Sequence, residues 1–542
     1  MLRVEEAYDK PHILIKIRAI ICPMLGMFCS GSFFCFSNTN PYVAAYLNSK
    51  SPIEITDTDT LLVMPVWMIA LSIFCIISVK LADTLGYWSL NLIAFALFAL
   101  FHLLASLVTN YTLFIFVYGF LVGSCVGLGY LPSLYIAWTY FPNKKSIVTG
   151  SVLFCSGISG MILSPITTMI INPTNVDLGM IRDSPEVYNN VPRMFRIMSV
   201  IFGSIALVSG LLQPRPFKQK SAEFVVEEIK DIKAELGDDL GNNLKEELIN
   251  DLNKAPNSTI TSNLSGEENI GRNEEKGFLN SDIDSSFLNS IECNDKTITT
   301  VNKGDDQDGD LTAQDIEILD CPNMKTALLS WPFMNVCLLA FCCSIYNYFL
   351  SSCWKKLYPS KFYVDDSKMA LLLTIGALSN SFFRFGIGVL LMYFSFKTIY
   401  IINIIIALLN SLTVLHFATS YNVGALYLFL AFGGVGVQLT VFPTICLQLF
   451  GPVIGSKIFP FVCFIFAISS MSQYTILKIV GEDWQLVINI QTGVTIIGLM
   501  LAIPFKQQHD WRSAIELIKK REEDEAKRTS NRLIESLNNS II

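Results

Sequence analysis

The sequence predicts an all-α membrane protein: twelve transmembrane helices in two pseudo-symmetric six-helix bundles, joined by a long polar loop. Three observations predict it. Of the 542 residues, 52% are hydrophobic and only 16% charged, where a soluble domain carries about 25% charged residues. The charge is unevenly spread: residues 215–325 hold 25 acidic and 12 basic side chains, the stretch from Lys506 onward holds 15 more charges, and the other 394 residues share 33. The low-charge blocks break into apolar runs near the length of about 20 residues that a helix needs to cross a bilayer.

Taken in order, the first bundle (1–214) contains runs at about 20–47, 60–79, 88–109, 113–139, 147–171 and 194–213. Short turns carrying Lys80, Asp83, Lys144 and Lys145 separate them. The start, MLRVEEAYDKPHILIKIR, is too charged for a cleavable signal peptide, so the first run is expected to be a retained anchor. Residues 215–325 are rich in Asn, Asp, Glu, Ser and Lys and poor in aromatics. Such a composition cannot bury enough surface to fold, and a mostly disordered cytoplasmic loop is expected. The second bundle (326–506) repeats the pattern at about 331–352, 369–394, 398–418, 424–449, 456–479 and 485–505, followed by a cytoplasmic tail, 507–542. Lysines and arginines concentrate near both termini and in the turns on the same side, which places termini and loop in the cytoplasm of an integral membrane protein, with the plasma membrane as the default. A cluster at Lys355, Lys356, Lys361 and Lys368 falls on the other side, where it suits an outer vestibule that attracts anions.

Several function classes drop out. An acidic chain without a basic, aromatic-interleaved stripe argues against nucleic-acid binding. The 14 cysteines mostly lie inside apolar runs, with no CxxC pair and no Cys/His zinc spacing. No nucleophile, metal or phosphate-cradling constellation stands near a membrane face. The chain is therefore read as no enzyme, with no catalytic residues, no metal and no cofactor.

Polar groups inside the runs are costly, and they mark function. Arg384 stands near the middle of the eighth run, and the sequence places no acidic residue deep in any run to neutralise it. A guanidinium makes bidentate bonds to carboxylates, so the missing counter-ion is a candidate substrate. Asn380 lies one helical turn before it. In the first run, Ser37, Asn38, Thr39 and Asn40 precede Pro41; they either line a cavity in a broken helix or belong to a loop after Phe36. Gly119, Gly123 and Gly127 repeat at four-residue intervals, and Gly127 and Gly129 align with Gly434 and Gly436 in the tenth run. This echo supports two related halves with a site between them.

These residues resemble the major facilitator superfamily. The stretch VKLADTLGYW is similar to its cytoplasmic signature, with Asp83 and Gly86 matching and Val79 and Thr84 departing. The likeness is closer to the oxalate–formate antiporter and monocarboxylate transporter branch. Gly127, Gly129, Tyr130, Pro132, Phe141, Pro142, Thr149, Gly150, Gly157 and Gly160 match its span 4–5 run, and Asn380, Arg384 and Gly388 its span 8 pattern. The resemblance implies that Arg384 binds carboxylate, with Asn380, Asn38, Asn40 and Tyr130 at the substrate and Asp83 and Gly86 at a conformational gate. Monocarboxylate members carry Asp where Asn380 stands, and the antiporters carry a lysine within span 11, where this chain has only Lys457 at its entrance.

The expected function is thus secondary transport of a small organic anion, a monocarboxylate such as lactate, pyruvate, formate or pantothenate, by alternating access. Its partners are that anion, the lipid bilayer and, as a candidate coupling ion, protons. Two rivals remain: a carrier of a neutral solute (sugar, nucleoside or amino acid) with a structural Arg384, and a non-transporting sensor on the same fold.

Overall fold

A computed structural model describes residues 12–141, 144–216, 320–362 and 365–518, with positions 520, 521 and 528. The expected loop, from 217 to 319, and most of the expected tail lie outside the described residues, as does Pro142.

Twelve helices among the described residues are long and apolar enough to cross a membrane. They are α1 (Ile13–Lys50), α2 (Asp57–Leu85), α3 (Tyr87–Ala105), α4 (Tyr111–Tyr140), α5 (Ile147–Ile171), α6 (Pro185–Leu212), α7 (Trp331–Ser360), α8 (Asp366–Leu390), α9 (Phe396–Phe417), α10 (Tyr421–Gly451), α11 (Ile454–Val480) and α12 (Trp484–Ala502). Each predicted run has its helix. The ends differ most at α6, which starts nine residues before its apolar run, at α7, which ends eight residues later, and at α1, which starts seven residues earlier and continues through Pro41 to Lys50. A polar stretch such as Ser37–Asn40 is helical here because all four side chains are buried in protein, where neighbouring groups can satisfy them.

Local chemistry sets the boundaries. Thr56 and Asp59 form a reciprocal capping box that starts α2. Gly86, at φ 78°, ends α2 and begins α3, and Gly451, at φ 75°, breaks the chain between α10 and α11. Both angles lie in the region only glycine enters without strain. Within α4, a π-helical stretch (Ile115–Leu121) leads into Val122–Tyr140.

The twelve helices share one apolar core. In the first half, α2 packs on α4 and α3 on α6. A Cβ on Gly123 would lie 2.7 Å from the Trp67 carbonyl oxygen, so these backbones meet face to face. The second half repeats the arrangement with α8 on α10: a Cβ on Gly436 would lie 2.5 Å from the Asn380 carbonyl oxygen. The halves meet along α5 and α8, where a Cβ on Gly150 would lie 3.0 Å from the Arg384 carbonyl oxygen. Side chains such as Ile77, Leu100, Val200, Leu207, Ile402 and Met500 point outward, a continuous apolar exterior suited to lipid and not to water.

The start of α1 and the end of α12 lie on one face of the bundle, since successive spans alternate in direction. There Arg18 donates to the Leu212 carbonyl (2.7 Å), and Trp511 donates to the Leu449 carbonyl (2.8 Å). The opposite face is the far side.

Candidate functional site

Arg384 lies six residues before the end of α8. Helical side chains lean toward the helix N-terminus, so the guanidinium reaches back toward mid-depth. It is 3% exposed. Nη1 donates to the Ser156 hydroxyl (2.6 Å) and the Leu153 carbonyl (3.3 Å), both on α5. Its carbon lies 5.7 Å from the centre of the Phe34 ring on α1, a cation–π contact. Nε is buried with no hydrogen-bond partner. Its electrostatic neighbours are two phenols, Tyr130 on α4 and Tyr348 on α7. The Tyr348 hydroxyl is also buried without a partner. Helices of both halves therefore converge on one cation, and unused donors remain around it.

The structure thus places Tyr130 near Arg384 and adds Ser156, Phe34 and Tyr348. Tyr348 gave no sequence signal, because a tyrosine in an apolar run resembles any other core aromatic. Asn380 does not bond to Arg384: its Nδ2 donates to the Phe432 carbonyl on α10 (2.9 Å), and its Oδ1 is buried without a partner.

Asn38 stands in a different layer, nearer the far side. Its Nδ2 donates to the Thr168 hydroxyl on α5 (2.8 Å), and its Oδ1 accepts from Lys355 Nζ (2.8 Å). Lys355 pairs with Asp366 at 2.9 Å, and both are buried. This corrects two expectations. The apolar runs placed Lys355 and Asp366 in a polar turn, but α7 and α8 extend past those runs and draw both side chains inside. A carboxylate is therefore buried within a span after all, and Lys355 leaves the outer cluster that hydropathy assigned to it. Lys356, one residue on, does face a far-side cavity of about 540 Å3 lined also by Arg182, Lys478, Asp57 and Glu482.

Asn40 points elsewhere again. Its Nδ2 donates to the Asp57 carbonyl (2.9 Å), and its Oδ1 accepts from Thr60 (2.7 Å), which fastens α1 to the start of α2. Asp83 is exposed at the end of α2, beside Gly86, and makes no ion pair with a described residue.

Twelve spans in two like halves, closing on a buried cation between them, define a membrane transporter. Residues 24–456 match the Major Facilitator Superfamily, and the chain belongs to that family. Two structures of the xylose transporter XylE are similar in fold. The one from E. coli in a partially occluded inward-open conformation has a TM-score of 0.56 and 11% identity, covering 90% of this chain and 97% of that one. The one described as a proton:xylose symporter, bound to 6-bromo-6-deoxy-D-glucose, has a TM-score of 0.57 and 12% identity, covering 90% and 95%. In sequence, Apicoplast pyruvate carrier 1 of Toxoplasma gondii is 29% identical over 119 residues, 19% of this chain and 21% of the carrier. The match spans about a fifth of that carrier's length.

Proposed function

We propose that this transporter carries a small organic monoanion, a monocarboxylate of the pyruvate, lactate, formate or pantothenate kind, by alternating access around Arg384. One observation carries the reading. Of the three buried charged residues described, Lys355 and Asp366 satisfy one another, and Arg384 has no carboxylate. One bound monoanion brings the buried charge to zero. An unpaired charge in a low-dielectric interior is expensive, so the site favours a ligand that supplies the opposite charge. Nε of Arg384 and the Tyr348 hydroxyl are free to donate to a carboxylate and its neighbouring oxygen. The likeness to a protein named as a pyruvate carrier supports the same substrate class.

A second reading, a neutral-solute carrier with a structural Arg384, draws on the bonds from Nη1 to Ser156 and Leu153. Uptake into proteoliposomes at two pH values, with a panel of monocarboxylates, dicarboxylates and sugars, separates the two. Saturable monocarboxylate uptake that Arg384→Lys abolishes is expected. Full activity of that variant, or transport of sugars alone, overturns the anion reading. A rise in uptake with an inward proton gradient would identify protons as the coupling ion. The same reading puts the termini in the cytoplasm of a plasma-membrane protein; protease access to a terminal tag in intact and permeabilised cells tests that orientation.

A further inference from the structure

The far-side layer is built unlike an ordinary ion-pair lock. Lys355 on α7 and Asp366 on α8 both belong to the second half, so their ion pair does not itself join the halves. In this buried layer the halves are joined by uncharged groups of the first half bonded to that pair. The Tyr42 hydroxyl on α1 donates to Asp366 Oδ2. Asn172, just after α5, donates to the same oxygen (3.0 Å). Lys355 Nζ donates to the Asn38 carbonyl (2.9 Å) and side-chain oxygen (2.8 Å), and it lies 4.6 Å from the centre of the Tyr42 ring. Beside this layer, Trp354 donates to the Ser37 hydroxyl (3.4 Å). Nearer the surface, Ser367 donates from its backbone and hydroxyl to Asn175 (2.9 and 2.7 Å), and Lys478 on α11 pairs with Asp59 on α2.

We infer that the Lys355–Asp366 pair is the docking plate of a far-side gate, latched by the neutral side chains of Tyr42, Asn38 and Asn172. Hydrogen bonds to charged groups are the stronger kind, and burial leaves them unscreened. When the far side opens, the pair stays whole within the second half and only its neutral partners depart. Within the buried layer neither ion loses its ionic partner; the cross-half ion pair that parts is Lys478–Asp59, which lies nearer the surface where water can solvate both charges. A buried lock made of opposite charges on the two halves would leave one unpaired charge on each. The latch is separate from Arg384, which lies 18 residues along α8 from Asp366, roughly 27 Å at the helical rise per residue.

The test is hydrogen–deuterium exchange of the full-length protein in lipid nanodiscs, which needs no substrate and therefore does not depend on the carboxylate reading. Tyr42→Phe removes the hydroxyl's two bonds across the seam, to Asp366 and from Lys355 Nζ, and leaves the ion pair and the packing intact. Backbone exchange over 37–50 and 354–367 should rise about tenfold or more, while exchange over 147–157, toward the chain ends, stays unchanged. Asp366→Asn should do the same more strongly. Lys355→Met combined with Asp366→Leu removes the plate without stranding a charge, and it should also loosen the far side alone. If Tyr42→Phe and the double variant exchange like the wild type, the latch does not exist. If the far-side and chain-end segments rise together in every variant, the network is a general fold element, and the inference is equally overturned.

Discussion

Two buried charged positions on α8 meet opposite fates. Asp366, its first residue, has Lys355 at 2.9 Å and donors from Tyr42 and Asn172. Arg384, five turns further on, has one hydroxyl, one carbonyl and the face of a phenyl ring. Both are sealed from solvent, so burial alone does not separate them. The difference is whether the chain itself supplies the opposite charge. Where it does, the charges hold the architecture together; where it does not, the proposed monoanion is the partner that would complete the pair.

The largest expected effect comes from removing the unpaired charge. Arg384→Ala should cut monocarboxylate uptake by roughly 30-fold or more, since losing one partner of a desolvated charge pair costs about 2–5 kcal/mol. Thermal unfolding in detergent should barely change, because the cation has no ionic partner to strand. A large fall in unfolding temperature with uptake preserved would make Arg384 the structural member of the comparison.

At the paired position the expectation reverses. Lys355→Met alone leaves a buried, uncompensated Asp366 and should destabilise the protein by about 3–5 kcal/mol, whereas Lys355→Met with Asp366→Leu should recover most of that loss. Unfolding temperatures of the two single variants and the double variant measure it. Failure of the double variant to recover stability would show that the pair is worth more than its packing equivalent.

Smaller effects sharpen the ligand side. The Tyr348 hydroxyl has no protein partner, so Tyr348→Phe should leave the fold unchanged or slightly more stable. If that hydroxyl donates to substrate, KM for uptake should rise about three- to tenfold, as expected for one hydrogen bond. An unchanged KM removes Tyr348 from the site. The smallest change is expected at Asn40, whose bonds to Asp57 and Thr60 stay within the first half. Asn40→Ala should cost about 1 kcal/mol of stability with substrate affinity unaltered. A selective loss of affinity would return Asn40 to the binding surface that the sequence suggested.

These contrasts also mark what was legible beforehand. Twelve spans, the division into two halves and the isolation of Arg384 follow from composition and spacing, because lipid permits so few ways to hide a backbone. The glycines at 123, 150 and 436 stand at close helix contacts in the structure, because without a Cβ two backbones can touch. Hydropathy failed at Lys355 and Asp366. A window average sees two charged residues beside a turn and ends the helix there, whereas the real helices continue because each charge finds the other. Asn38, Asn40 and Tyr130 looked alike as polar or aromatic residues in apolar runs, yet they face a latch, a turn and a cation respectively.

The sequence by itself determined the class of the protein, the number of its spans and the presence of one deep cation without a nearby acid. Those properties depend on local composition and on the thickness of a bilayer. Only the tertiary structure decided which polar groups meet, that Lys355 and Asp366 form a buried ion pair bonded to Tyr42, Asn38 and Asn172 of the other half, and that Arg384 has no carboxylate partner among the described residues. Pairing depends on helix rotation and depth, which residues hundreds of positions apart set together.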